Sequence, residues 1–111
     1  MNSKDLVREL RSEALVLSKA APDVMQAFQG IMKVASKEGA LSSKMKELMA
    51  LAIAISGRCE GCIVFHVQNA IRHHANREEV VDTISVAIEM GGGPSTVYGG
   101  KALSAFDQLK E

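Results

Sequence analysis

The sequence predicts an all-α fold of about six helices joined by short loops, and three observations predict it. Apolar residues recur every three or four positions through most of the chain. No segment alternates apolar and polar residues for long enough to read as a strand. Capping residues, Pro and Gly fall between the periodic stretches, where helices would start and stop. With 111 residues, the chain is near the common size of one domain, so residues 1–111 are read as a single core without repeats or low-complexity tails.

Ser3 is placed to cap a first helix over residues 4–19, with Leu6, Val7, Leu10, Ala14, Leu15 and Val16 on its apolar side. Pro22 and Asp23 suit the first turn of a second helix, because Pro there gives up an N–H that would be unpaired anyway and Asp complements the helix dipole. Val24, Ala27, Phe28, Ile31, Met32 and Ala35 form its apolar face, and Gly39 is the expected C-cap. Ser42 or Ser43 caps a third helix that carries Glu47 and then an uninterrupted apolar run from Leu48 to Ile55. A helix apolar on all sides is covered on all sides, and in so small a chain part of the cover is expected from a neighbouring subunit.

Ser56-Gly57-Arg58 ends that helix, and Cys59 stands at the cap of a fourth, which continues through Ile63, Val67, Ala70 and Ile71. Asn76 and Glu79 have capping-box spacing for a fifth helix with Val80, Val81, Ile84, Ala87 and Ile88 inside. Gly91-Gly92-Gly93-Pro94 stops it, and a sixth runs from Ser95 to about Leu109.

Composition narrows the function. Aromatic residues are 4% of the chain and Trp is absent, which leaves little surface for stacking bases. Lys plus Arg and Asp plus Glu number 13 each, so no net field favours nucleic acid or an anionic membrane. The Leu48–Ile55 run is far short of the roughly 20 residues that span a bilayer. The N-terminus enters charged helical sequence with no apolar signal core, and a cytoplasmic location is expected. Two cysteines three positions apart in a reducing compartment point to redox or metal chemistry, since so short a loop makes a weak structural staple.

The chemistry centres on the stretch from Glu47 to His66. At about 100° per helical residue, Cys62 lies about 60° from Cys59 and His66 falls between them, so two thiols and an imidazole share one stripe. A thiol in the first turn of a helix is favoured as thiolate by the unpaired backbone N–H groups, and His66, one turn after Cys62, can exchange its proton. Glu47 packed beside His66 would fix the imidazole and complete a nucleophile, base and orienter set. Such a dithiol can reduce a peroxide through a sulfenic acid or exchange with a disulfide.

Plainer readings exist for each residue. Glu47 alone would be a solvated helix residue, and His73 and His74 suit a helix end, where a cation meets the dipole. The six Met are core filler. The glycines match no phosphate-binding pattern, so they serve turns and close helix approach. Glu47, Cys59, Cys62 and His66 are acceptable zinc ligands by type, but the separated second ligand pair usual in structural sites is missing, and no metal or cofactor is assigned. Phe65 and Tyr98 are candidates to line a substrate pocket.

Leu41-Ser-Ser-Lys-Met-Lys-Glu47-Leu-x-x-Leu51-Ala, Cys59-x-x-Cys62-x-x-x-His66, Asn76-Arg-Glu-Glu-Val and Met90-Gly-Gly-Gly-Pro-Ser together resemble the carboxymuconolactone decarboxylase family, on its AhpD-like, alkylhydroperoxidase side. The resemblance covers residues 22–110. It implies an all-helical fold assembled as a trimer or hexamer, with the site near a subunit contact. It implies a thiol-dependent peroxidase or disulfide reductase acting on a hydroperoxide or disulfide and drawing electrons from a thiol or dithiol donor. Glu47 and His66 would relay protons, Cys62 would become the sulfenic acid and Cys59 would resolve it, although the cap position by itself favours Cys59 as the more acidic thiol.

The family's lactone decarboxylases generally lack the paired thiols, which leaves action on a small carboxylated lactone as the alternative, with a non-enzymatic zinc module as the third. His73-His74 stands where members commonly have Ala-Gly, so His74 is expected to carry a left-handed backbone without glycine.

Overall fold

The computed structural model describes residues 2–111, and among these it contains six helices and no strand. They are α1 (Ser3–Ala20), α2 (Pro22–Ser36), α3 (Ser43–Ser56), α4 (Glu60–Arg72), α5 (Arg77–Gly91) and α6 (Gly93–Lys110). The all-α expectation holds, with differences at the ends. Asn2 rather than Ser3 caps α1, its side chain accepting from the Asp5 N–H at 3.0 Å. Ser42 is the cap of α3, and α6 begins before Pro94 rather than after it. Gly39 is not the C-cap of α2: the helix ends at Ser36 with an extended Lys37, and Gly39 lies in the following loop.

Helices α3, α4, α5 and α6 form the body. Leu51, Ile55, Ile63, Val67 and Val80 are fully buried there, and α3 and α4 make one of its most extensive packings. Helices α1 and α2 form a hairpin in which α1 packs on α4 and α6 while α2 comes near α3, and here the expected apolar faces are not core. Only Val7 of α1 is buried and no residue of α2 is, while Val16, Val24 and Ile31 are each about two-thirds exposed. On α3 the cover is one-sided within the chain: Leu48, Leu51, Ala54 and Ile55 are buried but Ile53 is 71% exposed. The projecting hairpin is consistent with a radius of gyration of 14.0 Å, against about 13 Å for a compact chain of this size.

Two consecutive helix ends use one device. At the end of α3 the Arg58 N–H donates to Ile55 O at 3.1 Å and the Cys59 N–H to Ala54 O at 3.1 Å, with Arg58 at φ 57°. At the end of α4 the His74 N–H donates to Ile71 O at 3.0 Å and the Ala75 N–H to Ala70 O at 2.9 Å, with His74 at φ 68°. Both are left-handed caps that satisfy the last carbonyls and reverse the chain at once, and both place a residue other than glycine at the left-handed position. Gly57 itself stays right-handed, and the left-handed position belongs to Arg58. Asn76 and Glu79 form the expected capping box, and Glu79 also meets Lys44 at 2.8 Å. The hydrogen bond from Lys44, and then that from the Asn76 N–H, hold the Glu79 carboxyl below its ordinary range.

Helix α6 approaches α5 through Gly99, where a Cβ would lie 2.6 Å from Ile84 Cγ2. Gly99→Ala is therefore expected to lower stability: overpacking costs about 1–3 kcal/mol, against at most about 1 kcal/mol of helix propensity gained. Gly100, with open space around its Cα, is the internal control, and Gly100→Ala should leave the melting temperature equal or higher. Thermal melts of the two variants decide this.

Candidate active site

The α3–α4 connection that carries the left-handed Arg58 makes Cys59 both the end of one cap and the start of the next. Its Sγ accepts from the Cys62 N–H at 3.2 Å, which fixes the first sulfur over the helix N-terminus. Cys59 and Cys62 are joined by a disulfide, so the structure is that of the oxidised chain. Glu60, between them, meets Lys101 of α6 at 3.5 Å, which ties this end of α4 to the body.

Glu47 is brought to the site from α3 and is 5% exposed, so the reading of it as a solvated helix residue fails. Its Oε1 lies 2.8 Å from His66 Nδ1. A carboxylate only accepts, so Nδ1 is the donor of this bond and Nε2 is the ring nitrogen left for proton exchange. Burying a carboxylate is costly without a partner, and His66 supplies one. The four residues named from the sequence thus gather as two pairs, a disulfide and a carboxylate–imidazole couple, at neighbouring turns of α4. Among the described residues no group of three or more His, Cys, Asp or Glu is arranged to hold a metal.

Two cavities flank the pairs. One, of about 480 Å³, lies between α2, α3 and α4 and is bordered by Glu47, Ala50, His66, Phe28 and Met32. The other, of about 400 Å³, lies between α1, α2 and α4 and is bordered by Cys62, His66, Leu10, Val64, Phe28 and Met32. Phe65 borders both, its ring edge-on to His66 at 5.3 Å between centroids, whereas Tyr98 borders neither. Cys62 is exposed and faces the second cavity, while Cys59 is partly buried and borders neither. Phe28 and Met32 belong to the apolar face expected of α2, and Met32 was expected as core filler; here both wall a groove, because a periodic apolar stripe looks the same whether it seals a core or lines a cleft.

Fold and site together define an all-helical protein with a CxxC disulfide beside a buried carboxylate–imidazole pair. The model of the carboxymuconolactone decarboxylase family matches residues 22–107, and the chain belongs to that family. It is 42% identical over 106 residues to an uncharacterized protein of Cupriavidus necator, covering 96% of this chain and 94% of that one. Among solved structures it is similar to apo-lpg0406, a family protein of Legionella pneumophila, with a TM-score of 0.94, 37% identity and coverage of 98% and 97% of the two chains. It shares the fold of a Thermotoga maritima family protein for which involvement in an antioxidative response has been suggested, at a TM-score of 0.84, 24% identity and coverage of 94% and 89%. No helix of the described residues is long and apolar enough to cross a membrane.

Proposed function

We propose that this chain is a thiol-dependent peroxidase or disulfide reductase of AhpD-like type. The observation that carries the reading is the buried Glu47–His66 hydrogen bond, whose imidazole shares the cavity between α1, α2 and α4 with Cys62 of the Cys59–Cys62 pair. In the reduced protein the Cys62 thiolate attacks one peroxide oxygen, the O–O bond breaks, and Cys62 becomes a sulfenic acid while the departing alkoxide takes a proton and leaves as alcohol. Cys59 then attacks that sulfur, the S–S bond forms, and hydroxide leaves with a proton as water. An external dithiol reopens the disulfide and is itself oxidised.

His66, oriented by Glu47, holds and returns the protons at each step. The exposure of Cys62 and its place on the cavity favour it as the attacking thiol, and the seat of Cys59 at the helix cap suits the resolving one.

Intact mass spectrometry on dithiol-reduced protein tests this. One equivalent of hydroperoxide should remove two hydrogens and leave no alkylatable thiol; an unchanged mass with both thiols free overturns the reading. A second reading follows from the Glu47–His66 pair being assembled without help from sulfur: acid–base work on a small carboxylated lactone. Turnover of such a lactone by a Cys59→Ser, Cys62→Ser double variant would favour it.

The working form is a homo-oligomer. Val24 and Ile31 on α2, Ile53 on α3 and Met90 on α5 leave large apolar side chains 65–78% exposed on one chain. A trimer or a hexamer of closed symmetry would cover such side chains. Light scattering should give a multiple of the chain mass, shifted toward the single-chain mass by Ile53→Asp. A clean monomer for the unaltered protein counters the expectation.

A further inference from the structure

The cavity that reaches Cys62 is an apolar groove with one formal charge on its wall, Arg11 of α1. Its floor is the Gly61, Phe65 and Gln68 side of α4, with the Leu10 side chain of α1 lying over Gly61. Arg11 donates to the Gln68 side-chain oxygen at 3.3 Å, a neutral acceptor, and among the described residues no carboxylate pairs with it. Arg77, Lys44 and Lys101, by contrast, each meet a carboxylate of another helix, Asp107, Glu79 and Glu60.

Gln68 follows Cys62 by six residues, so at about 1.5 Å per residue the cation and the sulfur are separated by roughly 9 Å along α4, with apolar wall between them. A guanidinium next to a side-chain amide is suited to a planar carboxylate.

We infer that the substrate of this site is a carboxylate-bearing organic hydroperoxide whose chain lies in the α1–α4 groove, with its carboxylate at Arg11 and Gln68 and its peroxide at Cys62. The inference rests on the peroxidase reading and names its substrate class. The peroxide oxygen goes to Cys62 as described above, a carboxylate-bearing alcohol departs, and the external dithiol supplies both electrons. Arg11 acts as a specificity residue and takes no part in bond making. The apolar chain displaces water from Leu10, Val64, Phe65 and Phe28, and the cavity between α2, α3 and α4, which shares Phe28, Phe65 and His66, receives any tail beyond the peroxide.

The test compares three hydroperoxides, with dithiothreitol as donor and the protein in its native assembly: a linoleic acid hydroperoxide, its methyl ester and tert-butyl hydroperoxide. The unaltered protein should show the lowest KM for the free acid. Arg11→Gln should raise that KM about tenfold, leave kcat and both neutral substrates unchanged, and be partly rescued in Arg11→Lys. Equal KM for acid and ester, or an Arg11→Gln loss spread over all three substrates, overturns the inference and leaves the peroxidase reading standing. Failure of all three hydroperoxides to oxidise the dithiol in the unaltered protein overturns the reading itself, and the substrate assignment falls with it.

Discussion

Cys62→Ser is expected to abolish dithiol-dependent peroxide reduction, while Cys59→Ser retains a single turnover. Cys62 is the sulfur at the cavity, so its loss removes the nucleophile, and a loss on the order of 10⁴-fold or more in turnover follows by comparison with other enzymes stripped of theirs. Cys59 sits at the cap of α4 with its sulfur on the Cys62 N–H, away from both cavities. Its removal should leave the first chemical step and stall the second, because no neighbouring thiol remains to resolve the sulfenic acid. Dimedone trapping read by mass spectrometry separates the two: one adduct in Cys59→Ser after one equivalent of peroxide, none in Cys62→Ser. The reverse pattern would exchange the roles of the two sulfurs and agree with the acidity expected of a helix cap. Serine at position 59 is itself a good N-cap, so the variant should remain folded.

Glu47→Gln should lower turnover by about 10²- to 10⁴-fold, the range that positioned proton transfer contributes, with little change in melting temperature. The amide keeps the volume and can still bond to the ring, but it holds no charge beside an imidazole that must take up and release protons. Glu47→Ala removes volume and partner together. With the site 5% exposed, His66 Nδ1 would be left with a void in place of its acceptor, and stability should fall by about 1–3 kcal/mol in addition to the lost activity. Thermal melts beside steady-state rates separate the two effects. If Glu47→Gln works at the unaltered rate, Glu47 serves folding alone and the proton relay loses one member.

Much of the site was legible in the sequence because its parts are local. Within α4 the helical turn sets the relation of Cys62 to His66, whatever surrounds them, while Cys59 stands just outside as the extended cap residue, and the capping box at Asn76 and Glu79 is likewise a matter of neighbours along the chain. His74 at a left-handed position was anticipated from the family resemblance, because members commonly carry glycine there. Glu47 was legible for a different reason: one acid at the head of an apolar helix has to meet a partner or face water, and the sequence offered His66 as the partner.

The residues that contact each other only through folding were less legible. Periodicity marks a helical face as apolar without saying what the face touches, so the stripes of α1 and α2 read as core although most of their residues stand open or wall a groove. That Ser56-Gly57-Arg58 ends α3 could be read along the chain, but the left-handed position fell on Arg58, whose N–H bonds to Ile55 O while that of Cys59 bonds to Ala54 O.

The sequence by itself determined the helical class, the order of the helices and the pairing of two thiols with an imidazole at one helix mouth, since each of these depends on spacing within a few turns. Only the tertiary structure decided that Glu47 is buried against His66, that Cys62 and not Cys59 faces a cavity, and that Arg11 stands at the rim of that cavity. Those facts depend on how separate helices pack, and packing geometry is set by the shapes of side chains far apart in the chain.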